Sequence, residues 1–140
     1  MKIEIKPYKG FNQIEFGLGR DQIRVLLDDE VDTFYRTENS KVATDSFDNL
    51  GIFANYDEDD HSEAFEFSNP SEPWFLKKRL LGIPYNELLN WFNELDSEID
   101  EFDVGFTSFK YGIGFYASDK ENEPHLPCEG IIIFKRSYYD

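Results

Sequence analysis

The chain has 140 residues, of which 29 are acidic and 14 are lysine or arginine, so its formal net charge is −15. A chain of this length suits one domain with one hydrophobic core. The charge excludes broad contact with nucleic-acid phosphates or anionic lipid headgroups, while basic proteins would be attracted. The 14 phenylalanines, 8 tyrosines and 2 tryptophans are too many for a disordered chain.

The expected compartment follows from two absences in the sequence. Cys128 is the single cysteine, which excludes an internal disulfide framework and a multi-cysteine zinc site. The N-terminal residues alternate polar and apolar side chains, and neither a signal-peptide core nor a long apolar stretch occurs. We therefore expect a soluble cytoplasmic protein that enters no membrane.

Two amphipathic helices are predicted, and each follows a glycine. The first comes after Gly17, and the second comes after Gly82 with Pro84 as its first helical residue. Apolar residues three and four apart mark the buried side of each helix. The stripes are Ile23, Leu26 and Leu27 in the first helix, and Leu88, Trp91, Phe92 and Leu95 in the second.

Each predicted helix is followed by a similar β pattern. Strands are predicted at 52–57 and 64–67 after the first helix, and at 114–119 and 131–134 after the second. The first pair is joined by a polar turn at 57–61. The second pair has a longer connection that contains two prolines.

The shared order of helix and strands favours an internal repeat with halves 11–67 and 76–134, although coincidence is an alternative explanation. Residues 68–73 have linker composition and join the halves. We predict a single α+β domain over 1–140, with an antiparallel sheet and both helices packed on one of its faces.

Acidic residues gather after each predicted helix and in the hairpin turn. A helix C-terminus carries partial negative charge, so acids there oppose local stability, which suggests that the negative field is functional. We predict that these acids bind a partner. They are Asp28, Asp29, Glu30 and Asp32; Asp57, Glu58, Asp59, Asp60 and Glu63; and Glu94, Asp96, Glu98, Asp100, Glu101 and Asp103.

Aromatic side chains supply candidate anchors for such a partner, because tyrosine and tryptophan dominate interface hot spots. Trp74, Phe75, Tyr138 and Tyr139 are the candidates. Burial in the core is the alternative for each, and it is weakest for the terminal tyrosine pair, which we therefore add to the predicted partner-binding residues.

Catalytic and metal-binding patterns find little support. His61 and His125 both lie in predicted turns, and His125 with Cys128 supplies only two of the four ligands that zinc requires. The acidic run 57–62 has Ser62 where a calcium loop requires glycine. Residues 112–117 match a dinucleotide pattern but lie within a predicted strand. We predict no cofactor, no metal and no catalytic residue.

Three segments make the chain resemble small bacterial immunity proteins, which are encoded beside polymorphic toxins or toxins of contact-dependent growth inhibition. They read TDSFDNLGIFANYD at 44–57, EAFEF at 63–67 and FTSFKYGIG at 106–114. The resemblance spans about residues 14 to 134. It implies a cytoplasmic antidote that binds one cognate toxin domain, often a nuclease, and blocks its active site or substrate groove. No functional residue carries over, because such families choose their contact residues partner by partner.

We therefore predict an immunity protein whose acidic clusters bind and neutralise a basic toxin domain. A nuclease is the first candidate for that toxin. Two alternatives stay open. One is a small metal-dependent or carboxylate-based hydrolase, and the other is a housekeeping protein-interaction module. The sequence also leaves open the oligomeric state and the choice between plugging the active site and binding elsewhere on the toxin.

Overall fold

Thirteen strands, two α-helices and one 3₁₀ turn make up the fold of this computed structural model, which describes residues 1–140. The elements in chain order are β1 (Lys2–Lys6), β2 (Gly10–Phe11), β3 (Ile14–Glu15), α1 (Arg20–Leu27), β4 (Asp32–Phe34), β5 (Thr44–Phe47), β6 (Ile52–Tyr56), β7 (Ser62–Phe67), β8 (Glu72–Phe75), β9 (Lys78–Arg79), the 3₁₀ turn (Leu80–Gly82), α2 (Tyr85–Leu95), β10 (Asp100–Phe102), β11 (Gly105–Ser108), β12 (Ile113–Tyr116) and β13 (Gly130–Phe134). The predicted α+β class is confirmed.

The larger sheet holds eight strands in the order β10-β11-β12-β13-β7-β6-β5-β4, and every neighbouring pair is antiparallel. Four strands follow each helix as a meander, β4 to β7 after α1 and β10 to β13 after α2. The last strands of the two meanders pair with each other, from Phe67 opposite Ile131 to Ala64 opposite Phe134. The two halves thus share one order of elements and meet in the middle of the sheet.

A second sheet of five short strands, in the order β3-β2-β1-β8-β9, was not expected from the sequence. Its strands β1 and β8 pair in parallel, with Lys2 opposite Glu72 and Ile3 opposite Pro73. The prediction that 68–73 is a linker is therefore wrong for its last two residues, because pairing with β1 draws them into a strand.

The two helices bury fewer residues than their stripes predict. The eight-residue helix α1 buries Ile23 and Leu27, whereas Leu26 is 49% exposed. Helix α2 buries Leu88 and Phe92, as well as its first residue, Tyr85. Pro84 precedes α2 rather than starting it, and its carbonyl oxygen accepts the Leu88 amide at 2.9 Å. Neither helix has the length and apolarity to cross a membrane.

The core lies between one face of the eight-stranded sheet and the layer formed by the helices and the small sheet. Phe92 of α2 packs on Phe106 and Phe115, with ring centroids 5.6 and 4.9 Å apart, and Phe11 of β2 packs on Phe65 and Phe67 at 5.0 and 5.1 Å. Burying such a side chain stabilises the fold by roughly 1.5–3 kcal/mol. Arg20 and Arg24 of α1 bind Asp45, which lies on the same face as Phe65. Both helices therefore cover this face of the sheet, as predicted, and its other face is left uncovered by helices.

Candidate functional site

The uncovered face of the eight-stranded sheet contains one row of register-paired residues that crosses every strand. Residues directly opposite each other on neighbouring strands point to the same face. Register partners link one residue from each of the eight strands, and we call this set the central row. It runs Asp32, Ser46, Phe53, Glu66, Ile132, Gly114, Thr107, Asp100.

Carboxylates stand at both ends of the central row and at its middle. Asp32 lies on edge strand β4, Asp100 lies on edge strand β10, and Glu66 lies on β7, one of the two central strands. Seven strand spacings of about 4.8 Å put the two ends about 34 Å apart along the sheet. Phe53 and Ile132 flank Glu66, whereas the acids at the two ends have polar neighbours, Ser46 beside Asp32 and Thr107 beside Asp100.

A groove of about 370 Å³ opens beside the central row. Exposed aromatic side chains line it: Phe102 is 43% exposed, Tyr116 45% and Tyr139 57%. Glycines form part of its surface, and a Cβ atom on Gly114 would come within 2.8 Å of the Ile132 side chain. The groove is therefore an apolar, aromatic-lined depression in the uncovered face.

One carboxylate, Glu66, lines the groove, and it is paired within the chain. Both guanidinium Nη atoms of Arg36 donate to it, Nη2 to Oε1 at 3.2 Å, and Asn55 Nδ2 donates to Oε2 at 2.8 Å. The Arg36 guanidinium also lies 5.9 Å from the centroid of the Phe53 ring. Thr44 holds Asn55 through a 2.8 Å hydrogen bond.

The C-terminal tyrosines differ in their exposure. Tyr139 lines the groove and packs edge-on against Phe134, with centroids 5.0 Å apart. Tyr138 stacks on the same ring at 5.9 Å, and burial, together with the nearby Tyr139 hydroxyl and Glu63, raises its pKa to about 12. Of the predicted anchor pair, Tyr139 is the one presented at the groove.

The first acidic cluster, Asp28 to Asp32, forms no ion pair. Asp28 ends α1 in the left-handed conformation, with φ +45°, and Asp29 accepts a hydrogen bond from Asn49. Asp32 begins β4 and the central row. The prediction that this cluster follows the helix is confirmed, and the sheet places it at one edge.

Three of the five acids in the second cluster lie within ion-pair distance of a basic side chain. Asp60 pairs with Arg20 at 3.0 Å, a contact that lowers the pKa of Asp60, while Glu58 lies 3.7 Å from Lys41. Asp57 lies 3.9 Å from Lys135, and its carboxylate also accepts the backbone amides of Asp59 and His61. Its carboxylates therefore shape and brace the hairpin turn.

The acids of the third cluster lie partly in helix α2, partly in strand β10 and partly in the loops beside that strand. Glu94 lies inside α2 rather than after it, and Asp100 and Glu101 belong to β10. Glu98, Glu101 and Asp103 are exposed, although Glu101 pairs with Lys120 at 3.0 Å. Asp103 lines a polar depression of about 360 Å³ together with Ser118, Asp119, Glu121 and Asn122.

Asp96 departs from the predicted role. It is 5% exposed, and it accepts hydrogen bonds from the Ser108 hydroxyl at 2.8 Å and the Glu98 amide at 2.9 Å. Burial acts to raise the pKa of Asp96, but these hydrogen bonds outweigh it and hold the pKa below its ordinary value. A buried and fully engaged carboxylate is a structural group, so the prediction of a partner contact is wrong here.

A buried ionic network underlies the second cluster. Asp45 is fully buried, and it accepts hydrogen bonds from Arg20 at 2.8 Å, from Arg24 at 2.8 and 2.9 Å and from the Tyr56 hydroxyl at 2.9 Å. Burial and the Asp45 charge raise the pKa of Tyr56 far above its ordinary value. Because Arg20 also holds Asp60, the network ties α1 to β5, β6 and the hairpin turn.

The histidines and the cysteine stand apart from the groove. His61 and His125 are exposed, and His125 Nε2 lies 3.1 Å from Glu123. Cys128 is buried, which raises its thiol pKa to about 12. No group of three or more histidine, cysteine or acidic side chains is placed to hold a metal ion.

Sequence reasoning located the acids and Tyr139 but missed the residues that form the groove. Phe53, Glu66, Phe102 and Tyr116 share a face only through the register between strands. Alternation along each strand could have assigned them to the face away from the core. Trp74 and Phe75, by contrast, lie in the small sheet, where Phe75 is buried in the core and neither reaches the groove.

The chain is thus an α+β domain whose large sheet has one face without helices, with an acidic residue on each edge strand, Glu66 near the middle and an aromatic-lined groove. Comparison with models of protein families, with curated proteins and with solved structures gives no significant match.

Proposed function

We propose that this chain is an acidic binding protein that captures a basic protein partner on the uncovered sheet face and neutralises it. The observation that carries the proposal is the central row, which has an acid at each end and Glu66, flanked by Phe53 and Ile132, at its middle, beside an aromatic-lined groove. The resemblance to immunity proteins indicates the class of partner, a toxin domain, with a nuclease as the first candidate. The complex would form in the cytoplasm.

Long-range attraction and tight binding depend on different residues of this chain. The net charge of −15 and the unpaired acids near Asp32 and Asp100 raise the rate of encounter with a positively charged partner. Long-range attraction alone gives little affinity, so buried anchors are needed. Tyr116, Phe102 and Tyr139 are large, about half exposed and arranged around one depression. They are the candidates for those anchors.

Binding fits the groove better than catalysis. A carboxylate-based hydrolase of the two-acid type needs a pair of carboxyl groups facing one substrate. The groove contains Glu66 as its only carboxylate, and that group is engaged by Arg36 and Asn55. The proposed mode of action is that the bound chain blocks the partner's active site or substrate groove.

Co-expression with the product of the adjacent upstream gene, followed by purification through a tag on one chain, tests the proposal. We expect a stable one-to-one complex. Its association rate should fall steeply between low salt and about 1 M salt, where the screening length is only about 3 Å. Absence of a complex at low salt, or an association rate indifferent to salt, would contradict the proposal.

A pair of variants tests the surface. Tyr116→Ala removes a side chain from the groove, and we expect the dissociation constant of the complex to rise at least about tenfold. Leu126→Ala is the matched control, because Leu126 is 49% exposed but does not line the groove. The control should bind as the parent chain does. Equal effects of the two substitutions would place the interface elsewhere.

A further inference from the structure

Arg36 lies beside the Glu66 carboxylate, in a position that a partner's side chain could take. It lies in the segment between β4 and β5, and residues 35–39 of that segment are exposed without interruption. Its guanidinium makes hydrogen bonds to Glu66 alone, and it lies over Phe53. Displacing Arg36 would therefore break one ion pair and its contact with the Phe53 ring.

The Glu66 side chain is held in the sheet, whereas Arg36, the arginine that pairs with it, lies in an exposed segment. Its strand, β7, is central, and Asn55 fixes one carboxylate oxygen from the neighbouring strand. Its side chain is 27% exposed, whereas that of Arg36 is 45% exposed. A rigid, half-buried carboxylate next to an aromatic ring favours guanidinium over ammonium, because guanidinium binds a carboxylate in a bidentate manner and stacks on rings.

We propose that Arg36 is a place-holder, and that an arginine side chain of the partner replaces it on Glu66 and stacks on Phe53. This inference rests on the proposed function and names the contact at its centre. An exchange of one arginine for another keeps Glu66 paired both before and after binding. The free protein therefore avoids an unpaired half-buried charge, and a partner without a suitably placed arginine gains nothing from displacing Arg36.

The site can be probed without the partner. The probe is Nα-acetyl-arginine amide, titrated into ¹⁵N-labelled protein and followed by amide chemical shifts, with Nα-acetyl-citrulline amide as its uncharged counterpart. In Arg36→Ala the arginine probe should shift the amides of Phe53 and Glu66, with a dissociation constant at least about tenfold lower than in the parent chain. The citrulline probe should leave these amides unchanged.

Two further variants control this result. Lys41→Ala removes one positive charge from the same segment, where Lys41 is 81% exposed and lies near Glu58 rather than Glu66, and should bind the probe no better than the parent chain. Adding Glu66→Gln to Arg36→Ala should abolish binding. Arg36→Gln serves if the alanine variant does not fold. The proposal would be overturned if neither Arg36 variant bound the probe. It would also be overturned if binding survived Glu66→Gln, or if Lys41→Ala gained as much affinity for the probe as Arg36→Ala.

The same variants separate this inference from the function on which it rests. If the co-expressed partner binds and Arg36→Ala makes the complex at least about tenfold tighter, the place-holder role stands with the function. If the affinity is unchanged, Arg36 is not displaced on binding, so the place-holder role falls and the function survives. If the partner binds but Arg36→Ala weakens the complex at least about tenfold, Arg36 is itself a contact, so the place-holder role falls and the function survives. If no complex forms at all, the function falls, and the probe titration alone decides whether Glu66 accepts an arginine.

Discussion

Replacing Asp45 by asparagine should destabilise the fold more than any substitution among the predicted partner-binding acids. The carboxylate is fully buried and accepts four hydrogen bonds, three of them from the guanidinium groups of Arg20 and Arg24. Asparagine keeps the volume but leaves both cations without their common counter-charge. Removing one member of a buried ion pair costs about 3–5 kcal/mol.

The exposure of the two arginines sets the magnitude within that range. The side chain of Arg20 is 13% exposed, but that of Arg24 is 35% exposed and regains water when Asp45 is lost. We therefore expect a loss of about 3 kcal/mol in the free energy of unfolding. With a urea dependence of about 2 kcal/mol per molar, the midpoint of urea unfolding should fall by about 1.5 M.

Urea unfolding followed by circular dichroism measures this shift, and Asp60→Asn is the matched control. Asp60 binds the same Arg20, but its side chain is 56% exposed, so its ion pair is worth less than about 1 kcal/mol. The control should move the midpoint by less than about 0.5 M. Equal shifts in the two variants would refute the view that burial of Asp45 makes its network the stronger one.

Three further outcomes follow from the structure. Gly112→Ala should destabilise the fold in urea unfolding by more than Gly17→Ala, because both glycines have positive φ but only at Gly112 would a Cβ meet another side chain, the Tyr8 ring at 2.9 Å. Asp96 has a lower pKa in the folded than in the unfolded chain, so its stabilisation is present above about pH 4 and is lost as pH falls through the folded pKa. Asp96→Asn should therefore flatten the fall of the urea midpoint between about pH 5 and about pH 3. Cys128, with a buried thiol of pKa about 12, should react with a disulfide reagent at pH 8 at least about 100-fold more slowly in the folded chain than in urea, and equal rates would contradict its burial.

The elements that could be predicted are those whose signal is local. The stripe around Leu88 and Phe92 marks α2, and the polar turn at 57–61 marks the hairpin of β6 and β7, both of which the structure contains. The small sheet gave no such signal. Its strands β2, β3 and β9 have two residues each, and β1 meets β8 about 70 positions away in the chain.

The edge strands of the large sheet could not be predicted from the sequence for a different reason. β4 begins at Asp32 and β10 begins at Asp100, within runs of acids that disfavour strands. Pairing with β5 and β11 overrides that local preference. The candidate site was then out of reach, because Glu66, Phe53 and Gly114 come together only when the order and register of the eight strands are known.

The pairing of β7 with β13 also sets an order of events during synthesis. About 60 residues separate the end of β7 from the start of β13, so at about 5–20 residues per second β7 waits several seconds for its partner. Throughout that time the strand bearing Phe65 and Phe67 is an open edge, ready to pair with a neighbouring nascent chain. The strand carries two acids, Glu63 and Glu66, and charged residues on an open edge disfavour such pairing.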